Sequence, residues 1–257
     1  MSGPAYGVLR QVTPTASVLL AENPGVMTLD GTNTWVLRAP GSSSCVVVDP
    51  GPADAVHLGR IAEQAPVEVV LLTHGHADHS EGARAFGRQV DAPVRSVDPA
   101  FRLGGQGLAE GDVITAAGLS IRVLPTPGHT ADSVCFRLDD AVLTGDTVLG
   151  RGTTVVAHPD GRLGDYLSSL RLLTTLPGGT IGLPGHGPEL PDVVAAAGAY
   201  LVHREQRLAQ VKAAVAELGG APTARRVVEL VYADVDRSLW PAAEWSVRAQ
   251  LEYLRDA

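Results

Sequence analysis

The chain has 257 residues, 45% of them hydrophobic and 4% aromatic, enough for one large core and far from the composition of a disordered segment. Its formal charge of −8 argues against a generally basic nucleic-acid-binding surface, and no apolar run reaches the roughly 18 residues that a membrane span needs. Cys45 and Cys135 each lie in an apolar run and read as buried thiols; with no leader pattern at the start of the chain, they predict a cytoplasmic protein with no membrane partner.

Along the chain, short β-branched runs alternate with Gly/Pro punctuation, and six of them read as strands: 34–37, 45–48, 67–72, 121–124, 134–136 and 141–143. Helix-compatible spacing over 53–64 and 80–88 falls between them, so strands and helices alternate inside one α/β body. Leu208, Val211, Val215 and Leu218 form a helical stripe over 205–218 that Gly219 and Gly220 terminate. Thr223 is placed to cap a further helix through 232, and Pro241 suits the first turn of a last one carrying Trp245, Leu251 and Leu254. This divides the chain into a catalytic body, 1–200, and a small helical module, 201–257. The body holds 20 acidic and 12 basic residues and the tail 8 of each, so a basic surface is expected in the tail.

The run His74-Gly75-His76-Ala77-Asp78-His79 follows a buried-strand pattern ending in Thr73, which puts four potential ligands on the loop leaving that strand. His74 and His76 alternate in extended chain and share a direction, whereas Asp78 and His79 fall beyond the bend and can face a second point, so one loop can serve two cations. A catalytic zinc site takes about three protein ligands plus water, so further ligands must come from elsewhere. His129, Asp146 and His186 each lie just past an apolar run and beside a glycine, and the Asp146 carboxylate can offer one oxygen to each of two metals.

Asp49, the 74–79 run, His129, Asp146 and His186 resemble, in order, the five motifs of the metallo-β-lactamase superfamily. A more specific likeness, to the beta-lactamase-like protein 2 (endoribonuclease-like) family, rests on Thr32-Asn33-Thr34, Asp49-Pro50-Gly51, the 144–154 segment, the 165–170 segment and Pro184-Gly185-His186-Gly187-Pro188. The resemblance implies an αββα sandwich with a small winged-helix-like C-terminal module. It implies that His74, His76 and His129 hold one metal, that Asp78, His79 and His186 hold the other, and that Asp146 bridges them. The metals it implies are two zinc ions, with manganese or iron as alternatives. Asp49 reads as the carboxylate that orients a ligand histidine.

Two cations sharing a water would lower its pKa towards about 7 and supply a hydroxide, with Asp78 and Asp146 placed to accept or orient its proton. The family likeness favours a single-stranded RNA endonuclease; a thioesterase or other acyl hydrolase, glyoxalase II-like or acting on a carrier protein, is the alternative. An iron-dependent oxygenase or a true β-lactamase fits the ligand set less well. Asn33, His158 and Tyr166 are candidate substrate contacts, with turn and packing roles open for Asn33 and Tyr166. His57 and His203 read as solvated or capping histidines. Arg204, Arg207, Lys212, Arg225 and Arg226 are the tail cations available to grip phosphates, unless they simply solvate helix faces.

Overall fold

The computed structural model describes residues 5–156 and 158–256, and in it the chain folds into two β-sheets packed face to face with helices outside both. The first sheet has the order β1 (Arg10–Gln11), β2 (Ala16–Leu20), β3 (Asn33–Leu37), β4 (Cys45–Val48), β5 (Val67–Leu71), β6 (Val94–Arg95). The second contains β7 (Val113–Ala116), β8 (Leu119–Pro125), β9 (Val134–Arg137), β10 (Ala141–Gly145) and β11 (Ile181–Pro184), in the reverse spatial order. The helices are α1 (Ala55–Ala62), α2 (Ala77–Ser80), α3 (Ala83–Gln89), α4 (Leu163–Thr174), α5 (Val193–Leu218), α6 (Ala224–Val231) and α7 (Trp240–Asp256).

The period-2 geometry of a strand explains why β4 and β5 are apolar throughout. Val46, Val48, Val69 and Leu71 point into the core between the sheets, where they meet Ile121, Phe136 and Leu143. Val47 and Val70 point the other way, onto Leu58 and Ile61 of α1 and Phe86 of α3. The second sheet repeats the device: Cys135 and Val142 face outward onto Leu167, Leu170 and Leu173 of α4 and onto Val193 and Ala197 of α5. Both cysteines are free and buried, and burial pushes the Cys135 thiol up to about 11, which leaves it unreactive.

α5 is longer than its sequence stripe. It begins at Val193, where Asp192 caps it by accepting from the Val194 and Ala195 amides. Its first half is small residues packed against α4, and alanines on a buried seam give little amphipathic signal. Position 200 lies inside this helix, so body and tail share it. Beyond Gly219, Thr223 accepts from the Arg226 amide and caps α6. A separate cluster of Val211, Val227, Val228, Trp240 and Val247 holds the tail helices together. Among the described residues, no helix is long and apolar enough to cross a membrane.

Candidate metal centre

Parallel pairing of β4 with β5 and of β10 with β11 brings four strand C-terminal ends to one edge of the sandwich, and the ligand-type side chains gather there. His74, His76, Asp78 and His79 leave β5 through α2, His129 comes from the loop between β8 and β9, Asp146 follows β10, and His186 follows β11. Gly185 cannot be anything larger, because a Cβ there would run into Asp146 Oδ1 and His79. Gly128, at φ +133, lies so close to the backbone of Tyr166 that it too admits no side chain.

Four histidines have an outer ring nitrogen tied to the protein. His79 Nδ1 donates to Asp49 Oδ2 at 2.9 Å, His129 Nδ1 to the Val155 carbonyl at 2.6 Å, and His186 Nδ1 to the Gly31 carbonyl at 3.0 Å. Asp49 also accepts from the Thr73 amide at 2.8 Å and the Thr73 hydroxyl at 2.6 Å. That hydroxyl, its proton committed to Asp49, is left to accept from His74 Nδ1 at 3.0 Å. Each of these bonds fixes a tautomer and turns the Nε2 lone pair inward. His76 points inward through Nδ1, 3.1 Å from His74 Nε2 and 3.0 Å from His129 Nε2.

The inner atoms form two groups. His74, His76 and His129 make one, and Asp78, His79 and His186 the other, with Asp78 Oδ2 lying 3.3 Å from His79 Nε2 and 3.1 Å from His186 Nε2. Asp146 stands between them, with Oδ1 3.5 Å from His79 and Oδ2 3.4 Å from His186 and 3.7 Å from His129. Its buried Oδ1 has no hydrogen-bond partner. Lone pairs facing lone pairs at such distances repel unless a cation or proton lies among them, and nitrogen and carboxylate donors in threes suit a divalent transition metal.

The titration behaviour separates the groups. Burial, with the neighbouring imidazoles, holds His74 well below the usual histidine range and, against Asp146, pushes His129 down to about 4. In the other group burial is outweighed: Asp146, Asp49 and Asp78 raise His79 well above its ordinary value, and Asp146 and Asp78 lift His186 to about 9. His74 and His129 are thus held neutral, whereas His79 and His186 are imidazoles compensated by carboxylates.

A cavity of about 370 Å³ opens beside His129 and Asp146, walled on one side by α5 and the tail. The side chains expected to touch substrate lie elsewhere. The Asn33 amide donates to the Pro184 and Gly187 carbonyls at 3.0 and 2.8 Å, so it braces the turn that carries His186. Tyr166 is fully buried, its hydroxyl donating to the Thr147 carbonyl at 2.8 Å. His158 faces a different cavity, of about 530 Å³, among the tail helices, and lies 3.4 Å from Glu252. His57 is buried rather than solvated and bonds the Thr34 hydroxyl at 2.9 Å. His203, inside α5 rather than ahead of the tail helix, lines the cavity beside His129 and Asp146, as do Arg204 and Arg207. The last three carried only a tail-surface signal in sequence, because the upstream half of α5 was not legible. Arg225 and Arg226 are committed to ion pairs, with Glu244 at 3.0 Å and Glu229 at 3.5 Å.

Residues 27–186 match the family model described as the Metallo-beta-lactamase superfamily, and residues 223–256 match the Beta-lactamase associated winged helix domain. A Drosophila melanogaster protein named Beta-lactamase-like protein 2 homolog is 32% identical, over 95% of this chain and 89% of that protein. The Aspergillus chevalieri Atrochrysone carboxyl ACP thioesterase is 32% identical over 88% of this chain and 76% of its own length. A beta-lactamase domain protein from Burkholderia ambifaria superposes with a TM-score of 0.84 at 23% identity, covering 99% of this chain and 89% of that one, a likeness of fold.

Proposed function

This chain belongs to the metallo-beta-lactamase superfamily and carries its winged-helix module, and we propose that it is a dinuclear metal-dependent hydrolase of acyl thioesters. The observation that carries the hydrolase reading is the set of inward-facing nitrogens and carboxylates in two groups joined by Asp146, with four of the five rings locked from behind by the protein. His74, His76 and His129 would hold one zinc-class ion, Asp78, His79 and His186 the other, and Asp146 both. When bound, such a pair supplies Lewis acidity and lowers the pKa of a water towards about 7.

The rest is done by the chain. Asp78 and Asp146 orient the attacking water and accept its proton; Asp78, with 28% of its side chain exposed, is the one from which that proton can leave to solvent. The water oxygen bonds to the acyl carbon, the carbon–sulfur bond breaks, and the thiolate takes up a proton, giving an acid and a thiol. The cavity beside Asp146 has an apolar side formed by Leu29, Leu149 and Leu239 and is of a size for an acyl chain. A similar protein is named as an acyl-carrier thioesterase. Of the five tail cations that could grip RNA phosphates, Arg225 and Arg226 are already paired with Glu244 and Glu229.

Elemental analysis of zinc-saturated protein, with turnover measured on neutral thioesters, lactones and single-stranded RNA, tests the proposal. About two metals per chain and metal-dependent thioester cleavage are expected. At most one metal after saturation overturns the dinuclear site, and turnover of RNA alone overturns the thioesterase.

A further inference from the structure

Arg204 is 4% exposed and pairs with no carboxylate among the described residues. One of its terminal nitrogens donates to the Thr154 carbonyl, its guanidinium lies 5.1 Å from the centre of the Tyr166 ring, and its Nε has no partner. A permanently charged group removed from water with one donor idle is costly unless something completes it. It lines the cavity that reaches His129 and Asp146, so that completion can come from there.

The same wall carries two further groups with spare capacity. His203 Nδ1 is buried without a partner, and burial together with Arg204 and Arg207 holds this ring below its ordinary pKa. Arg207 donates to the Val231 carbonyl at 2.7 Å and stacks 4.2 Å from the Tyr232 ring, again with no carboxylate partner among the described residues. A further arginine of the lining, Arg151, is paired with Asp30 at 2.6 Å. Among the described residues Asp146 is the only acid facing the cavity, and it belongs to the candidate metal centre. In a chain of net charge −8 this cleft is locally cationic. The other side, Val26, Met27, Leu29, Leu149 and Leu239, is apolar.

We infer that His203, Arg204 and Arg207 form an oxyanion-binding subsite, so that the substrate is an apolar body bearing a carboxylate or phosphate in addition to the bond that is cleaved. The inference rests on the acyl-thioester reading for the identity of that bond. The anionic group can sit at the far end of the acyl chain or on the thiol. Guanidinium groups suit either, because both present paired oxygens to a fork of N–H donors.

The test uses unreactive thioether analogues bound to full-length zinc-loaded protein in calorimetry, so it does not depend on turnover. One analogue is neutral, one carries a terminal carboxylate on the acyl side, and one carries a phosphate on the thiol side. The parent should bind one charged analogue at least about tenfold tighter than the neutral one, and which one it is places the anion on the acyl or thiol side. Arg204→Gln, which keeps a polar side chain but removes the charge, should erase that preference while binding the neutral analogue as before. Arg207→Gln, further from the Asp146 loop, should reduce it and guards against an Arg204 variant that fails to fold. Equal binding of all three analogues by the parent overturns the subsite. So does an Arg204→Gln loss equal for neutral and charged analogues, which would make Arg204 a clamp on Thr154 alone. Cleavage of the corresponding thioesters is scored separately: tight charged-analogue binding without cleavage of any thioester leaves the subsite standing and sinks the thioesterase.

Discussion

The floor and the α5 wall of the cleft are built on opposite rules. On the floor, His74, His79, His129 and His186 each have one nitrogen bonded to Thr73, Asp49, Val155 or Gly31, so their inner nitrogens cannot turn away. On the wall, His203 Nδ1 and Arg204 Nε have no hydrogen-bond partner among the described residues. A group that must hold its place through many turnovers is fixed by the protein, whereas a group that meets a transient ligand keeps a bond open for it. Substitutions in the two regions should therefore fail differently, the floor losing metal and rate together and the wall losing discrimination.

The largest effect is expected at Asp146, which stands between the two groups of inner atoms. Asp146→Ala should lower turnover by at least about a hundredfold and loosen both metals, read by steady-state rates and by metal content after dialysis. Full metal occupancy with near-parental rates would remove it from the bridge. One step behind the floor, Asp49→Asn puts an amide where one oxygen now accepts from both Thr73 and His79. Metal affinity should fall roughly 10–100-fold, measured by competition with a chelator. An unchanged affinity would show that His79 needs no support from behind.

A smaller effect concerns His57, whose Nε2 bonds the Thr34 hydroxyl, which in turn donates to the Asp49 carbonyl at 2.7 Å. Burial, opposed by Asp54 and helped by Arg60, lowers its pKa to about 4. Its folded pKa lies below the unfolded value of about 6.5, so as the pH falls through that window the unfolded chain takes a proton that the folded one refuses. Between pH 7 and pH 5 this term should remove about 2 kcal/mol of stability. Urea titrations at the two pH values should show the loss shrinking in His57→Gln; an equal loss in both proteins would place the acid sensitivity elsewhere. The smallest effect is expected outside the cleft: Arg225→Ala with Arg226→Ala removes exposed ion pairs and should change thioester turnover by less than about twofold. RNA cleavage that loses its salt dependence in this double variant would revive the tail as a nucleic-acid grip.

What the sequence determined by itself is the part written in contiguous residues. The all-apolar runs of β4 and β5 announce strands buried on both faces, and the 74–79 run carries ligand types at a spacing that one strand exit can aim in two directions. The turn residues are also local: Gly219 at the end of α5 and Thr223 at the start of α6 act through their own backbone neighbours. The tertiary structure decided what depends on partners far along the chain. That Asn33 braces the His186 turn, that Tyr166 is sealed beneath the Asp146 loop, and that His57 is a buried strut follow from bonds to residues 184, 147 and 34, which no local pattern encodes. The same holds for α5, whose small residues conceal its first half and so conceal that His203, Arg204 and Arg207 face the cleft beside His129 and Asp146. Hydrophobic periodicity reports which face of an element is buried; which chemistry that face meets is set by the elements packed across from it.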